Sequence, residues 1–367
     1  MFSLNKNTEC YYKHALEMHF PVIYNSEFGT LELSLGTKQY FFFRAVTPLN
    51  SYTNAMVSKN KYATNCILEK AGLPVPHTTA LDRDQFQEGA LEEVISELSF
   101  PLVVKPVTGG LGEDVLCNIQ NMEQLEEHLR EQYLKYESLL IQEYLGNLQS
   151  YRVLVLKNKV IGVVLRHPAH LIGDGKHNLQ ELVEIANNQR QKINDTLGPI
   201  SIDTEFNIRL KELNIDLNYV PKKGEWVTVG YTSNATRGGT YISLGKQICK
   251  ENKKLFVRAA KALGLTLVGF DVQCADINVP IERSAGAIIE ANHGPSVRIH
   301  EQAMDGIPTP VCKKILRTLI YRHPFAYLYS LYRTTRLAFY LKIVLIVALA
   351  YGFYELVSMD ETKNIFM

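Results

Sequence analysis

The hydrophobic and polar positions of this 367-residue chain alternate between the short period of strands and the longer period of helices. The runs FPLVVKP, VLCNI and SLLIQEYL are typical of strands, and MEQLEEHLREQYLKY is typical of an amphipathic helix. A glycine-containing segment, TGGLGED, separates the first two of these strands. This order of strand, glycine loop, strand, helix and strand predicts a small α/β lobe over about residues 98–146.

Comparable patterns predict further elements on both sides of this lobe. LELSLG and YFFFRAV predict a hairpin that turns at Gly36, and a helix is expected from Ser58 to Gly72. The remaining predictions are a helix at 84–97, two strands within 150–170, a helix at 178–193, irregular chain at 194–225, a helix at 250–263 and, as the last two strands, TLVGFDVQCAD and GAIIEANHGPS.

Residues 337–357, LAFYLKIVLIVALAYGFYELV, form an almost wholly apolar run, long enough for the roughly 20 residues that a membrane-spanning helix needs. Lys342 is close enough to one edge to snorkel, and tyrosines flank the run as in an interfacial belt. Arginines of the basic linker 313–336 precede it, so the positive-inside tendency predicts a cytoplasmic main domain anchored to the inner face of a membrane. A buried terminal helix is the alternative, which we disfavour because core helices rarely stay apolar on every face.

The composition places the chain among ordinary globular proteins, with 46% hydrophobic and 21% charged residues. A formal net charge of +1 gives no electrostatic reason to expect a nucleic-acid partner. The six cysteines include no CxxC pair, which argues against a structural zinc site. The polar start MFSLNKNTECYYKHALEMHF lacks the apolar core of a signal peptide, so we expect a reducing compartment.

Several polar residues each have a functional and a structural interpretation. Lys105 ends a buried-type strand directly before the glycine loop, where it could neutralise phosphate oxygens, although lysines beside glycine turns are common. Lys61 is a second candidate phosphate ligand, or a solvated helix lysine. Glu143 could accept hydrogen bonds from a ribose or an adenine amine, or be a surface carboxylate. His170 and Asp174 could contact a substrate, but a structured loop is an equal alternative.

Two carboxylates and an amide lie in the strand-like runs VGFDVQC and GAIIEANHGPS. Asp271 belongs to the first run, and Glu290 and Asn292 to the second, where residues two apart share a face of the strand. Oxygen ligands that converge from neighbouring strands suit a magnesium ion that bridges phosphates. A carboxylate inside an apolar strand needs a partner or a metal, so a purely structural role is the weaker interpretation.

Arginines lie on or beside the strands and glycine turns of the same region. Arg152 and Arg166 belong to the strand pair after the lobe, and Arg298 follows the strand that carries Glu290. Arg237 lies in SNATRGGT, residues 233–240, whose donors and small residues favour an anion-binding turn over a plain loop.

Together these motifs resemble the ATP-grasp superfamily, and in particular the ATP-grasp module of cyanophycin synthetases and glutathione-synthetase-like ligases. The resemblance runs from about Leu35 to Cys312. Its ordered motifs include NKYATNCILEKAGLPVP, FPLVVKPVTGGLGEDV, IQEYLGNLQSYRVLVL, SNATRGGT, LGLTLVGFDVQCADI and GAIIEANHGPSVRIH. The resemblance implies an α/β (α+β) ATP-grasp fold at 58–312, with two lobes enclosing ATP, between an N-terminal preamble at 1–57 and the apolar helix.

The resemblance also implies roles for individual residues. ATP would be bound by Lys61, Lys105, Glu143 and Arg152, under a lid loop of Gly109, Gly110 and Gly112. Magnesium, or manganese as the alternative ion, would be held by Asp271, Glu290 and Asn292. The γ-phosphate, an acyl phosphate or the substrate carboxylate would be held by Arg166, Arg237 and Arg298, with Arg237 as the best candidate for stabilising the transferring group.

The implied activity is ADP-forming ligation of a small-molecule carboxylate to an amine through an acyl phosphate. Two alternatives are a membrane-attached ATP-binding scaffold or sensor and an ATP-grasp phosphotransferase. Asn60-Lys61-Tyr62 and His293-Gly294-Pro295 depart from the family's usual residues, which leaves the substrates open. Cyanophycin synthetases continue into a Mur-ligase-like domain, whereas this chain continues into the apolar run, so two-step polymer synthesis is not expected. Assembly into dimers or tetramers is left open.

Overall fold

The computed structural model describes residues 4–110, 114–193, 197–335 and 337–364. The chain divides into two compact units, a larger one of Ala45–Val311 and a smaller one that combines Met1–Arg44 with Cys312–Met367. The predicted main domain starts at residue 58, whereas the larger unit starts at Ala45 and so also includes residues 45–57.

The helices are α1 Lys6–Glu17, α2 Tyr52–Lys59, α3 Lys61–Lys70, α4 Arg83–Gln87, α5 Leu91–Val94, α6 Met122–Gln132, α7 Leu179–Ile193, α8 Thr204–Glu212, α9 Lys250–Ala262, α10 Arg298–Glu301, α11 Val311–Arg322, α12 Pro324–Thr334 and α13 Leu337–Asn364. The strands are β1 Val22–Asn25, β2 Thr30–Leu35, β3 Lys38–Phe43, β4 Thr78–Asp82, β5 Leu102–Pro106, β6 Leu116–Ile119, β7 Ser138–Glu143, β8 Gln149–Leu156, β9 Lys159–His167, β10 His170–Ile172, β11 Trp226–Thr228, β12 Thr240–Gly245, β13 Leu267–Cys274, β14 Gly286–Asn292 and β15 Asp305–Ile307.

A six-stranded sheet forms the centre of the larger unit, in the order β14-β13-β8-β9-β12-β15. Its neighbouring strands are antiparallel, except that β12 and β15 are parallel. Helix α9 buries Leu255, Phe256 and Ala259 against one face, where Val153 and Phe270 belong to the same core. Alternation along each strand therefore leaves the opposite face for polar side chains.

A separate four-stranded antiparallel sheet, in the order β4-β7-β5-β6, corresponds to the predicted α/β lobe. Helices α4, α5 and α6 cover one of its faces and share a core with it. The lobe includes β4 as well, which precedes the predicted start at residue 98. The single helix predicted at 84–97 is wrong, because Gly89, at φ 83°, lies between the short helices α4 and α5.

Two further predictions for the larger unit are also wrong. Residues 194–225 are not uniformly irregular, because Asp203 caps α8 by accepting a hydrogen bond from the Phe206 amide, and Phe206 and Leu210 are buried in a core with α7. The strand of GAIIEANHGPS is not the last one, because β15 follows and pairs in parallel with β12.

The smaller unit contains α1, the antiparallel sheet β1-β2-β3 and the helices of the second segment. The predicted hairpin is confirmed as β2 and β3, which turn at Gly36 with a φ of 62°. Tyr11 of α1 is fully buried, and its ring centroid lies 5.0 Å from that of Phe42 on β3. The predicted basic linker 313–336 is largely helical, as α11 and α12.

Helix α13 confirms the predicted helical conformation of the apolar run. Its segment Ala338–Glu355 has a mean hydropathy of 1.6 and none of it is buried, so it is long and apolar enough to cross a membrane by length and composition. The alternative of a buried terminal helix does not match this structure, because the side chains of that segment are exposed.

Candidate functional site

A row of charged residues crosses the polar face of the central sheet. Asp271 on β13 lies opposite Arg152 on β8 and opposite Glu290 on β14. Asn292 lies two residues beyond Glu290, opposite Gly269. Cross-strand partners and residues two apart share one face of a sheet, so the three predicted metal ligands lie on a common surface.

Asp271 is paired with two arginines, Arg152 on the neighbouring strand β8 and Arg166 on β9, the next strand of the sheet. Its carboxylate accepts hydrogen bonds from Arg152 Nε and from Arg152 Nη2, the latter at 3.2 Å, and from Arg166 Nη1 at 3.3 Å. Burial alone would raise the pKa of Asp271, but the charges and hydrogen bonds of the two guanidiniums bring that pKa below its ordinary value. Asp271 is therefore ionised and holds the two arginines on this face.

Glu290 and Asn292 differ from Asp271 in having donors or acceptors to spare. Within the described ranges, no residue forms a hydrogen bond or ion pair with the Glu290 carboxylate, which is only partly buried. The Asn292 side-chain nitrogen is buried and has no hydrogen-bond partner among those residues. Buried polar groups normally have partners, so this end of the row is suited to a ligand.

These residues fit a magnesium ion shared with phosphates rather than one enclosed by protein alone. The described part of the chain contains no group of three or more His, Cys, Asp and Glu residues able to hold a metal. Glu290 and Asn292 offer uncommitted oxygen ligands, whereas both oxygens of Asp271 already accept from arginines. Magnesium typically binds through one or two carboxylates and takes its other ligands from phosphates and water, which agrees with this set.

Lys105 is a buried ammonium on β5, in the lobe, with a side chain that is oriented by its neighbours. Its Nζ donates to Gln142 Oε1 on β7 at 2.8 Å, and Gln142 Nε2 donates in turn to Thr78 Oγ1 at 2.9 Å. Burial lowers the pKa of Lys105 to about 8, the negative charge of Glu290 partly offsets that, and the positive charge of Lys61 lowers it further. The charges of Glu290 and Lys61 therefore act on the Lys105 ammonium in opposite directions.

Lys61 begins α3 and reaches the predicted lid loop. Its Nζ donates to the carbonyl oxygen of Gly109 at 3.0 Å, and its helix is capped by the Asn60 side chain. Gly109 has a φ of 127°, and added Cβ atoms at Gly109 and Gly110 would meet nothing within 4 Å, so the loop backbone is open to an incoming group. Gly112 lies outside the described residues.

Glu143 is not brought together with Lys105. Adjacent residues on a strand point to opposite faces, and Gln142, the neighbour of Glu143, is the residue that contacts Lys105. The Glu143 carboxylate accepts a hydrogen bond from the Ser99 amide at 3.0 Å. Its assignment to an adenine–ribose pocket stays a prediction.

Arg237 lines a small cavity of about 80 Å³ beside α8. Its Nη2 lies 3.1 Å from Asp203 Oδ2 and 3.3 Å from Glu205 Oε2. Asn234 shapes the turn by accepting hydrogen bonds from the Arg237 and Gly239 amides with its carbonyl oxygen. The predicted turn is thus well formed, but its arginine is neutralised by two carboxylates that the sequence analysis had not considered.

Comparison with known proteins shows which family of domains this chain resembles. Residues 58–227 match the family model of the RimK-like ATP-grasp domain. The chain is 30% identical over 320 residues to cyanophycin synthetase of Trichormus variabilis, which covers 86% of this chain and 35% of the relative. It is 26% identical over 267 residues to the glutathione biosynthesis bifunctional protein GshAB of Pasteurella multocida, covering 70% of this chain and 34% of the relative.

The crystal structure of a bifunctional glutathione synthetase from Pasteurella multocida is similar in fold, with a TM-score of 0.61 at 22% identity. The match covers 87% of this chain and 44% of that one. Residues 58–227 are thus similar to a RimK-like ATP-grasp domain. The chain spans about 35% of the length of the cyanophycin synthetase that it matches. The expected α/β fold with an apolar helix after it is confirmed.

Three further predicted residues, Arg298, His170 and Asp174, have recorded partners outside the charged row. Arg298, in α10, is buried, and its Nε donates to Gln302 Oε1 at 2.7 Å. His170 stacks on Trp226 with ring centroids 3.7 Å apart. Asp174 accepts hydrogen bonds from the His177 amide and ring, as expected of the structured-loop alternative.

Three residues that the sequence analysis missed support the site. Gln142 orients Lys105, and Ser150 Oγ accepts from Arg166 Nη2 at 3.0 Å. At Gly269 an added Cβ would lie 2.7 Å from the Cβ of Pro295 and 3.0 Å from Cδ of Arg152, so the glycine makes room for that arginine. The sequence shows a glycine two positions before Asp271. Its role becomes clear only from the neighbouring strand β8, which brings the Arg152 side chain against it.

Proposed function

We propose that this chain is an ATP-dependent, ADP-forming carboxylate–amine ligase. The proposal is supported by the buried Lys105, whose ammonium is influenced by the charges of Lys61 and Glu290, and by the Asn292 side-chain nitrogen, which lacks a partner among the described residues. The relatives named cyanophycin synthetase and glutathione biosynthesis protein support the same reaction class. The carboxylate substrate would be an amino acid or a short peptide, joined to a small-molecule amine.

The residues of the site would have two kinds of role: some would bind phosphates, and others would hold the metal ion that offsets the phosphate charge. Lys105 and Lys61 would bind the phosphates of ATP, and Arg152 and Arg166 would hold the transferred group or the substrate carboxylate. Magnesium, or manganese in its place, would be held by Glu290, Asn292 and Asp271, and would offset the charge on the phosphates. Asp271 could bind the ion only if one of its carboxylate oxygens lost its hydrogen bonds to the arginines.

The reaction would proceed in two transfers. A carboxylate oxygen of the substrate attacks the γ-phosphorus, and the bond to the bridging oxygen of ADP breaks. The amine then attacks the acyl carbon, phosphate leaves with the former carboxylate oxygen, and the amine proton passes to solvent. The open backbone at Gly109 and Gly110 would close over the acyl phosphate and exclude water, which would otherwise hydrolyse it.

We further propose that α13 anchors the protein in a membrane through Ala338–Glu355, with the ATP-grasp domain in the cytoplasm. The arginines before this segment support that orientation. Assembly into dimers or tetramers is a further proposal. The formal net charge of +1 gives no reason to propose a nucleic-acid partner.

The ligase proposal is tested by ADP release from the full chain in detergent, screened against pooled amino acids and dipeptides with magnesium. We expect one pool to stimulate ADP release and to yield an amide in the mass spectrum of the products. A phosphorylated substrate as the final product would instead identify a phosphotransferase. Tight ATP binding without turnover in any pool, including peptide pools, would favour the ATP-binding sensor.

The depressed pKa of Lys105 predicts a pH dependence of nucleotide binding. Lysine binds phosphates in its protonated form, and burial lowers its pKa to about 8, so ATP affinity should fall as the pH rises from 7 to 9. Lys105→Met should bind ATP more weakly at pH 7 and lose most of this dependence, as measured by isothermal titration calorimetry. Lys246→Met, at another lysine, is the control and should retain the wild-type profile. An unchanged pH profile in Lys105→Met would contradict the assignment.

A further inference from the structure

Helix α12 of the smaller unit carries an apolar stripe that faces outward. Phe325, Leu328, Tyr329 and Tyr332 follow the spacing i, i+3, i+4 and i+7, which puts them on one side of the helix. Their exposed fractions are 83%, 54%, 62% and 41%. A stripe with this period normally faces a protein core, so its exposure requires another apolar environment.

The opposite side of α12 is fixed to the smaller unit, so the outward direction of the stripe is set by packing. The Tyr327 ring lies 5.0 Å from that of Phe20, and its hydroxyl donates to the Met18 carbonyl oxygen at 2.7 Å. Ala326 lies against the turn at Gly36, where an added Cβ would be 3.4 Å from the Ala326 Cβ. Ser330, on the same side, is buried.

Chain connectivity determines where this stripe lies if α13 spans a bilayer. Helix α12 ends at Thr334, and the apolar segment of α13 begins at Ala338. Four residues reach at most about 14 Å, even when fully extended. The end of α12 would therefore lie in or beside the headgroup layer, so this step rests on the proposed membrane anchor.

The chemistry of α12 matches that location. Tyrosine and phenylalanine favour the boundary between lipid headgroups and hydrocarbon, where an amphipathic helix can lie in the membrane plane. Arg322 and Arg333 are exposed near the two ends of α12 and suit anionic headgroups. In a symmetric pair of stripes the same arginines would bring like charges together, which disfavours a second copy as the occupant.

We propose that α12 is an in-plane interfacial helix, whose stripe of Phe325, Leu328, Tyr329 and Tyr332 inserts into an anionic phospholipid surface. The smaller unit would then contact the membrane through this helix as well as through α13. Its Tyr327 side would remain packed on Met18 and Phe20, which lie between α1 and β1.

The proposal is tested by photocrosslinking of the full chain in vesicles of phosphatidylcholine and phosphatidylglycerol. The variant Tyr329→p-benzoylphenylalanine should form several-fold more lipid adducts, detected by mass spectrometry, than Leu134→p-benzoylphenylalanine. Leu134 is a matched exposed position, at 86%, in the larger unit. Phe325→p-benzoylphenylalanine gives a second position on the stripe, and circular dichroism confirms that each variant is folded.

Two outcomes would overturn the proposal: adducts at Tyr329 no more abundant than at Leu134, or crosslinks from Tyr329 to a second protein chain. Alkaline carbonate extraction of the unmodified protein tests the anchor separately. Lipid adducts at Tyr329 in a chain that carbonate extracts would support the interfacial helix and contradict the α13 span. Resistance to carbonate without lipid adducts would retain the anchor and reject the interfacial helix.

Discussion

Replacing Glu290 by glutamine is expected to reduce substrate-dependent ADP release by about 100-fold or more, the scale on which single preorganised electrostatic groups contribute to catalysis. Glu290 has no protein partner among the residues described, and its charge acts on the buried Lys105. The substitution preserves size and hydrogen bonding while it removes the charge that a metal would need. Its effect should therefore fall on turnover and on the magnesium concentration required, with little effect on stability.

Glu282→Gln is the matched control, because Glu282 lies shortly before the same strand and its side chain is 60% exposed. We expect the control to retain the wild-type rate. A Glu290→Gln protein with wild-type turnover at saturating magnesium would exclude Glu290 as a metal ligand. If the substitution instead lowered the free energy of unfolding enough to account for the lost activity, Glu290 would have a structural role.

Replacing Asp271 by asparagine is expected to lower the free energy of unfolding by about 3 kcal/mol or more, because removing one partner of a buried ion pair leaves an uncompensated charge. Here the loss affects Arg152 and Arg166, whose side chains are only 12% and 16% exposed. Urea denaturation can be followed by the fluorescence of Trp226, the only tryptophan, which lies in the same unit. Activity should be lost as well.

The same carboxylate predicts how stability depends on pH. The pKa of Asp271 is lower in the folded protein than in the unfolded chain, where it is about 3.9, so its ionised form stabilises the fold above that value. This contribution should decrease as the pH falls below about 4 and disappear below the folded-state pKa. In Asp271→Asn that part of the acid dependence should be absent.

Asp84→Asn is the control for the stability measurement, because Asp84 is exposed in the short helix α4. Its substitution should change the free energy of unfolding by no more than about 0.5 kcal/mol. If Asp271→Asn unfolds at the same urea concentration as the control, the pairing with Arg152 and Arg166 does not stabilise the fold. Loss of activity without loss of stability would then assign Asp271 to ligand binding alone.

Local patterns in the sequence were enough to locate the strands that carry the charged row. The two-residue period of a strand puts Glu290 and Asn292 on one face whatever the fold around them. The glycine loop after Lys105 and the hairpin at Gly36 were likewise predicted from short segments. The apolar run of α13 was recognisable because every face of that helix is apolar.

Elements that depend on distant partners were missed or misjudged. Helix α8 is short, and its apolar positions Phe206 and Leu210 acquire a core only when α7 packs beside them. Strand β4 follows two prolines and becomes a strand through its pairing with β7. Gly89 divides the region predicted as one helix, because its left-handed backbone ends α4 before α5 begins. That backbone conformation is a property of the folded chain.

The sequence by itself determined which side chains carry charge and on which faces of their own strands they lie. Only the tertiary structure decided their partners: Arg152 and Asp271 are 119 positions apart, and their contact exists because β8 pairs with β13. It also oriented Lys105 through Gln142 and neutralised Arg237 with Asp203 and Glu205. The physical reason is that secondary-structure periodicity is local, whereas the register between strands and the burial of a charge depend on segments far apart in the chain.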